Sequence, residues 1–214
     1  MEAAALAGLA FAALGVVASL LLTAQPAPSE TPEVISSWYA DSGNRWSVII
    51  ALALATIAAI AFLWFIAVIR RRAGEREDQF FATVFLGTGI LITAILLAGA
   101  AAMASVAVGV ELLDGSMPGP GAFTVINGFA NGLLLIVLPR VQAVFVITTS
   151  TVGYRTGAFP RWLALIGYAF GLGMFVLPLL IGPALTIFPL WVGVMGAVLL
   201  VRRKRADAIG VPEN

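Results

Sequence analysis

Histidine and cysteine are both missing from the 214 residues. Without histidine there is no bis-histidine haem site, no zincin-type metal site and no imidazole general base. Without cysteine there is no thiol nucleophile, no disulfide and no iron–sulfur cluster, and the redox compartment leaves no trace in the sequence. Charge is scarce too. Only 11% of residues are Asp, Glu, Lys or Arg, under half the roughly 25% of soluble domains. The net charge of +1 gives no global pull toward nucleic acid, so none is expected as a partner.

What is present is apolar. Hydrophobic residues make up 61% of the chain against about 45–50% in soluble domains, and the mean hydropathy is +1.03. That much apolar surface has to meet lipid. The fold class read from it is all-α: one polytopic transmembrane helical bundle with almost no soluble mass.

The few charges punctuate the chain. Uncharged apolar runs place spans at about 3–24, 47–69, 80–108, 123–151, 162–181 and 184–201, taking about 20 residues for each crossing. The last two come from a single uncharged run between Arg161 and Arg202, about twice the length of one span, with Gly182-Pro183 at its middle. Six spans is the expectation. Arg70, Arg71, Arg72, Arg76, Arg155, Arg161, Arg202, Arg203, Lys204 and Arg205 then fall on one side. Arg45 falls on the other, among Glu30, Glu33, Asp41, Glu111 and Asp114. The positive-inside bias puts both termini in the cytoplasm. The first span starts Met-Glu-Ala, without a basic leader region, and reads as a retained helix rather than a cleaved signal.

The outer loop over 25–46 has its own pattern. Pro26 and Pro28 cannot continue a helix. Thr31-Pro32-Glu33 has the form of an N-cap followed by proline at the first helical position. Val34, Ile35, Trp38 and Tyr39 share one side of such a helix, which predicts a short amphipathic segment at the outer leaflet. An interfacial anchor is the simpler role for it, and a lid over a cavity the sharper one.

Arg140 is the one charged residue inside an expected span. It stands 15 residues before Arg155, about 22 Å along a helix and so near mid-depth. Placing a guanidinium there costs about 2.5–3.5 kcal/mol on insertion scales, which makes it a functional candidate. No Asp or Glu lies in any expected span to pair with it. Pro139 withdraws one backbone N–H, marks a helix kink, and frees the carbonyl of Leu135 for a donor. Asn127, Asn131 and Gln142 on the same span offer amide oxygens. Two readings follow. Either Arg140, helped by Asn127, Asn131 and Gln142, binds an anion such as a carboxylate, phosphate or lipid headgroup, or Arg140 caps backbone carbonyls at the kink.

Glycine pairs at Gly128-x-x-x-Gly132 and Gly167-x-x-x-Gly171 fit close helix approach, within the bundle more often than toward a partner. There is no intramembrane proton relay, no buried lysine for a retinal, no phosphate-binding loop and no catalytic constellation. The chain is therefore not expected to be an enzyme, and no cofactor or metal is expected.

Several short stretches carry a family likeness: Ser37-Trp38-Tyr39-Ala40-Asp41, Phe62-Leu63-Trp64-Phe65, Arg155-Thr156-Gly157-Ala158-Phe159-Pro160-Arg161-Trp162-Leu163 and Phe188-Pro189-Leu190-Trp191. Together they resemble small six-span membrane proteins of unknown function from actinobacteria. The resemblance implies a topology and a bacterial inner membrane, and no site residues. The expected role is structural, accessory or partner-binding. Besides the bilayer, the expected partner is a second copy or another membrane protein. The alternative is a small permease or an anion- or lipid-binding protein that uses Arg140.

Overall fold

The computed structural model describes residues 2–73, 79–155, 157, 160–176 and 184–209. All regular structure among them is helical: α1 (Glu2–Thr23), α2 (Pro32–Ala40), α3 (Ser42–Ala73), α4 (Gln79–Leu112), α5 (Pro120–Asn131), α6 (Leu138–Arg155), α7 (Arg161–Val176) and α8 (Ala184–Ile209). A π-helical segment, Gly132–Val137, joins α5 to α6, so the two run on as one rod.

Four of these helices, not six, are long and apolar enough to cross a membrane. They cover Ala5–Thr23, Ser42–Arg70, Thr83–Leu112 and Pro120–Arg155. This corrects the six-span expectation. The uncharged run after Arg161 yields two short apolar helices, Arg161–Val176 and Leu185–Val201. The 16 residues of α7 rise about 24 Å, short of the roughly 30 Å hydrocarbon thickness. Hydropathy counted the run as two spans; among the described residues neither apolar helix is long enough to qualify as one. The Gly182-Pro183 turn expected between them lies outside the described residues.

Packing is set by which helices carry small residues. α1 lies against α3 and α8, and α6 lies against α7 and α4. A Cβ on Gly15 would stand 3.2 Å from Pro189, and one on Gly196 would stand 3.0 Å from the Ala5 carbonyl. α8 therefore runs antiparallel to α1, and its C-terminal half lies beside the start of α1. Gly167 and Gly171 bring α7 onto α6, where a Cβ at Gly171 would meet the Ala143 carbonyl at 3.1 Å. Such contacts are how membrane helices gain van der Waals packing when lipid is as apolar as they are.

The interior is aromatic at its centre. Phe11, Phe62, Phe65, Phe85, Phe145 and Phe188 are fully buried and come from α1, α3, α4, α6 and α8. Phe62 touches the rings of Phe11, Phe145 and Phe188 at centroid separations of 4.7, 5.3 and 5.7 Å. Tilted and edge-on pairs of this kind each add about 0.5–1.5 kcal/mol beyond burial. A second cluster, rich in alanine, holds the end of the bundle that α2 covers: Ala18, Tyr39, Ala51, Ala100, Ala104 and Phe123 are among its members.

Candidate functional site

The rod Pro120–Arg155 carries every residue singled out as a candidate ligand. Pro139 has no N–H to offer, so an α-helical partner for Leu135 is lost. The chain answers with the wider π turn just before it, where the Leu138 N–H reaches back five residues to the Leu133 carbonyl. At the other end of that turn the Gly132 N–H is shared between the carbonyls of Gly128 and Phe129.

The candidate side chains go different ways. Asn127 is buried and its Nδ2 donates to the Phe123 carbonyl at 3.0 Å, one turn back on its own helix. Asn131 is half-buried. Gln142 is 1% exposed, and its Oε1 has no hydrogen-bond partner among the described residues. Arg140 is exposed on the outside of the bundle, and its Nη1 donates to the Ile136 carbonyl at 2.5 Å. Arg140 and Gln142 are two residues apart, which on a helix sends one outward when the other points in. The structure thus does not gather the four into one cluster. Trp191 Nε1 on α8 is the other buried polar atom without a partner among the described residues.

One cavity of about 30 Å³ lies between α1, α3, α4, the π turn and α8, against Phe11, Ala18, Ser19, Leu22, Ala100 and Leu134. It could hold a water by volume, but its wall is almost wholly apolar. The nearest polar group is already occupied: Ser19 Oγ donates to the Val16 carbonyl at 2.9 Å and lies 3.2 Å from Thr186 Oγ1. No group of three or more acidic side chains among the described residues is placed to hold a metal ion.

The end of the bundle that α2 covers holds a polar knot built from charges scattered along the sequence. Arg45 Nε donates to Glu111 Oε2 at 2.5 Å, joining the start of α3 to the end of α4. Its Nη1 also donates to the carbonyls of Tyr39 and Ala40, at 2.6 and 3.0 Å, satisfying the C-terminal end of α2. Asn44 Nδ2 adds a bond to the Trp38 carbonyl at 3.0 Å. Thr31 caps the other end of α2 by accepting from the Val34 N–H. Tyr39 is buried between Trp38 and Phe123, and its hydroxyl donates to Gln25 Oε1 at 2.6 Å. Burial pushes the Tyr39 phenol up to about 12. The one available sequence signal was the isolation of Arg45 as the single outer cation facing several carboxylates.

These helices, wrapped by lipid-exposed residues such as Leu6, Ile57, Trp64, Leu165 and Leu172, define a polytopic helical membrane protein. No family model matches the chain, and neither does any curated protein or solved structure. The resemblance to six-span actinobacterial proteins is therefore corrected on two grounds: no similarity supports it, and four spans qualify where that family has six.

Proposed function

We propose that this protein is a non-catalytic accessory component of a membrane, acting by binding a partner rather than by passing a solute. The observation that carries the reading is the aromatic block at the centre of the bundle, where Phe62 touches rings from α1, α6 and α8. A permease needs a wet path through the whole bundle, and six buried phenylalanines close the interior toward the end that Arg70 and Arg155 mark. The polar residues of the outer end serve the fold: Arg45, Glu111, Asn44 and Gln25 all hold α2 in place.

The location we propose is a bacterial plasma membrane with both termini in the cytoplasm. Arg70, Arg155 and Arg161 lie at the end of the bundle where α1 starts, as the positive-inside bias requires. Eleven arginines against one lysine, with abundant alanine and glycine, fit a GC-rich genome by association.

One observation favours the alternative of small-ligand binding, the unpaired Oε1 of buried Gln142. Thiol labelling separates the two, because the chain has no cysteine of its own. Gln142→Cys should resist a membrane-impermeant maleimide from either side, while Ser42→Cys and Arg70→Cys react. Reaction at position 142 would overturn the accessory reading in favour of a wet, ligand-binding interior.

A further inference from the structure

The guanidinium of Arg140 faces out of the bundle close to the middle of the longest span. Arg140 lies 20 residues after Pro120 and 15 before Arg155. Its side chain turns back toward the centre of that span, since Nη1 bonds the carbonyl of Ile136 one turn earlier. Snorkelling would require the opposite, an extension toward the nearer end of the helix at Arg155. The Arg140 guanidinium therefore sits one turn back along its own helix, near the middle of the long apolar segment.

The Ile136 carbonyl takes one donor of that guanidinium, and among the described residues no carboxylate pairs with the others. Every Asp and Glu lies outside the four spans, except Glu111 in the last turn before Leu112, and Glu111 is already paired with Arg45. Intramembrane arginines face a bundle interior or a watery cavity, not lipid. The surface around this one is open. Ile136 and Val137 are exposed, and Phe129 beyond them is exposed as well. Gly128 and Gly132 have nothing among the described residues within 4 Å of where a Cβ would stand. They differ in this from Gly167 and Gly171, which are used in packing α7.

We propose that Arg140 and the exposed side of the rod around it dock a transmembrane helix of another protein, one that presents a carboxylate at mid-membrane depth. The carboxylate accepts from the guanidinium nitrogens that point away from Ile136, and the open glycines let the partner backbone come close. The match is one of charge: an outward cation without a counter-ion among the described residues selects an anionic partner helix over a neutral one. The inference rests on the partner-binding reading above and names the partner's chemistry.

The test uses the full chain in neutral phosphatidylcholine vesicles, with energy transfer to a synthetic leucine–alanine transmembrane peptide as the probe. The peptide carries Glu, Gln or Leu at its central position. The Glu peptide should associate roughly tenfold more tightly than its Leu twin, as expected for a polar contact between helices. Arg140→Gln should abolish the preference, and Arg140→Lys, which keeps the charge, should retain most of it. Equal binding of all three peptides overturns the proposal. So does loss of the preference when phosphatidylglycerol is added, which would make a lipid headgroup the occupant. Self-association of labelled chains that excludes the peptide and survives Arg140→Gln would make a second copy the occupant, and also overturns it. The thiol labelling at position 142 is independent of all these arms. A dry interior with an indifferent peptide rejects the carboxylate partner alone, whereas a labelled interior rejects the accessory reading itself.

Discussion

Arg45 and Arg140 are the same side chain in two situations, and the difference between them organises the polar chemistry of this chain. Arg45 gives its donors to a carboxylate and two carbonyls, and so ties three helices at one end. Arg140 has a carbonyl of its own helix and an open flank. Removing the counter-charge of Arg45 with Glu111→Gln should cost about 1.5–3 kcal/mol, the scale of a hydrogen bond to a charged group. Thermal unfolding in detergent measures this, and an unchanged midpoint would show the pair to be dispensable. Tyr39 gives a pH signature. Its phenol ionises near 12 in the folded chain against 10.0 ordinarily, so its contribution is complete below pH 10 and is lost as pH rises through about 12. Ultraviolet titration of tyrosinate should therefore show one late-ionising group, absent in Tyr39→Phe. If Tyr39→Phe instead removes a step near pH 10 and leaves the late one in place, Tyr39 is not the raised phenol.

Among the elements, glycines separate packing faces from open ones. Gly128-x-x-x-Gly132 and Gly167-x-x-x-Gly171 look alike in sequence, yet only the second pair has helix α6 pressed against it. Gly171→Leu should destabilise by about 1–3 kcal/mol through overpacking, because Ile147 and the Ala143 carbonyl stand where the side chain would go. Gly128→Ala should not lower the unfolding midpoint of the isolated protein, and should raise stability by up to about 1 kcal/mol as a helix-interior glycine is replaced. A large loss at Gly128 would place a neighbour where the structure has open space. The same contrast explains what was legible beforehand. Local signals could be read: Thr31-Pro32 marks the start of α2, and the charges mark the ends of the long helices. Facing could not, since a one-dimensional pattern in a helix apolar all round does not say which side meets protein and which meets lipid. Nor could the division of the run after Arg161. An uncharged stretch satisfies hydropathy whether its helices are long enough to cross or fall short. The pairing of Arg45 with Glu111 is likewise a matter of tertiary approach across 66 positions of sequence.

At the scale of the whole molecule, two layers divide the work. The alanine-rich end is closed by α2 and its polar knot, and the centre is closed by phenylalanine. With both levels packed, the outside of the bundle is the surface we propose for partner contact. Orientation follows from charge. Impermeant reagent added to intact cells should label Leu113→Cys, beyond the end of α4, but not Arg70→Cys. Labelling of the second and not the first would invert the assignment. A dry interior and an outward-facing contact surface are distinguished by spin labels at Gln142→Cys and Phe129→Cys in bilayers, through their collision rates with dissolved oxygen and with a water-soluble nickel chelate. Position 142 should meet neither reagent, and position 129 should meet oxygen but not nickel. Frequent nickel collisions at position 142 would mean a water-filled path through the bundle and rule out a dry interior.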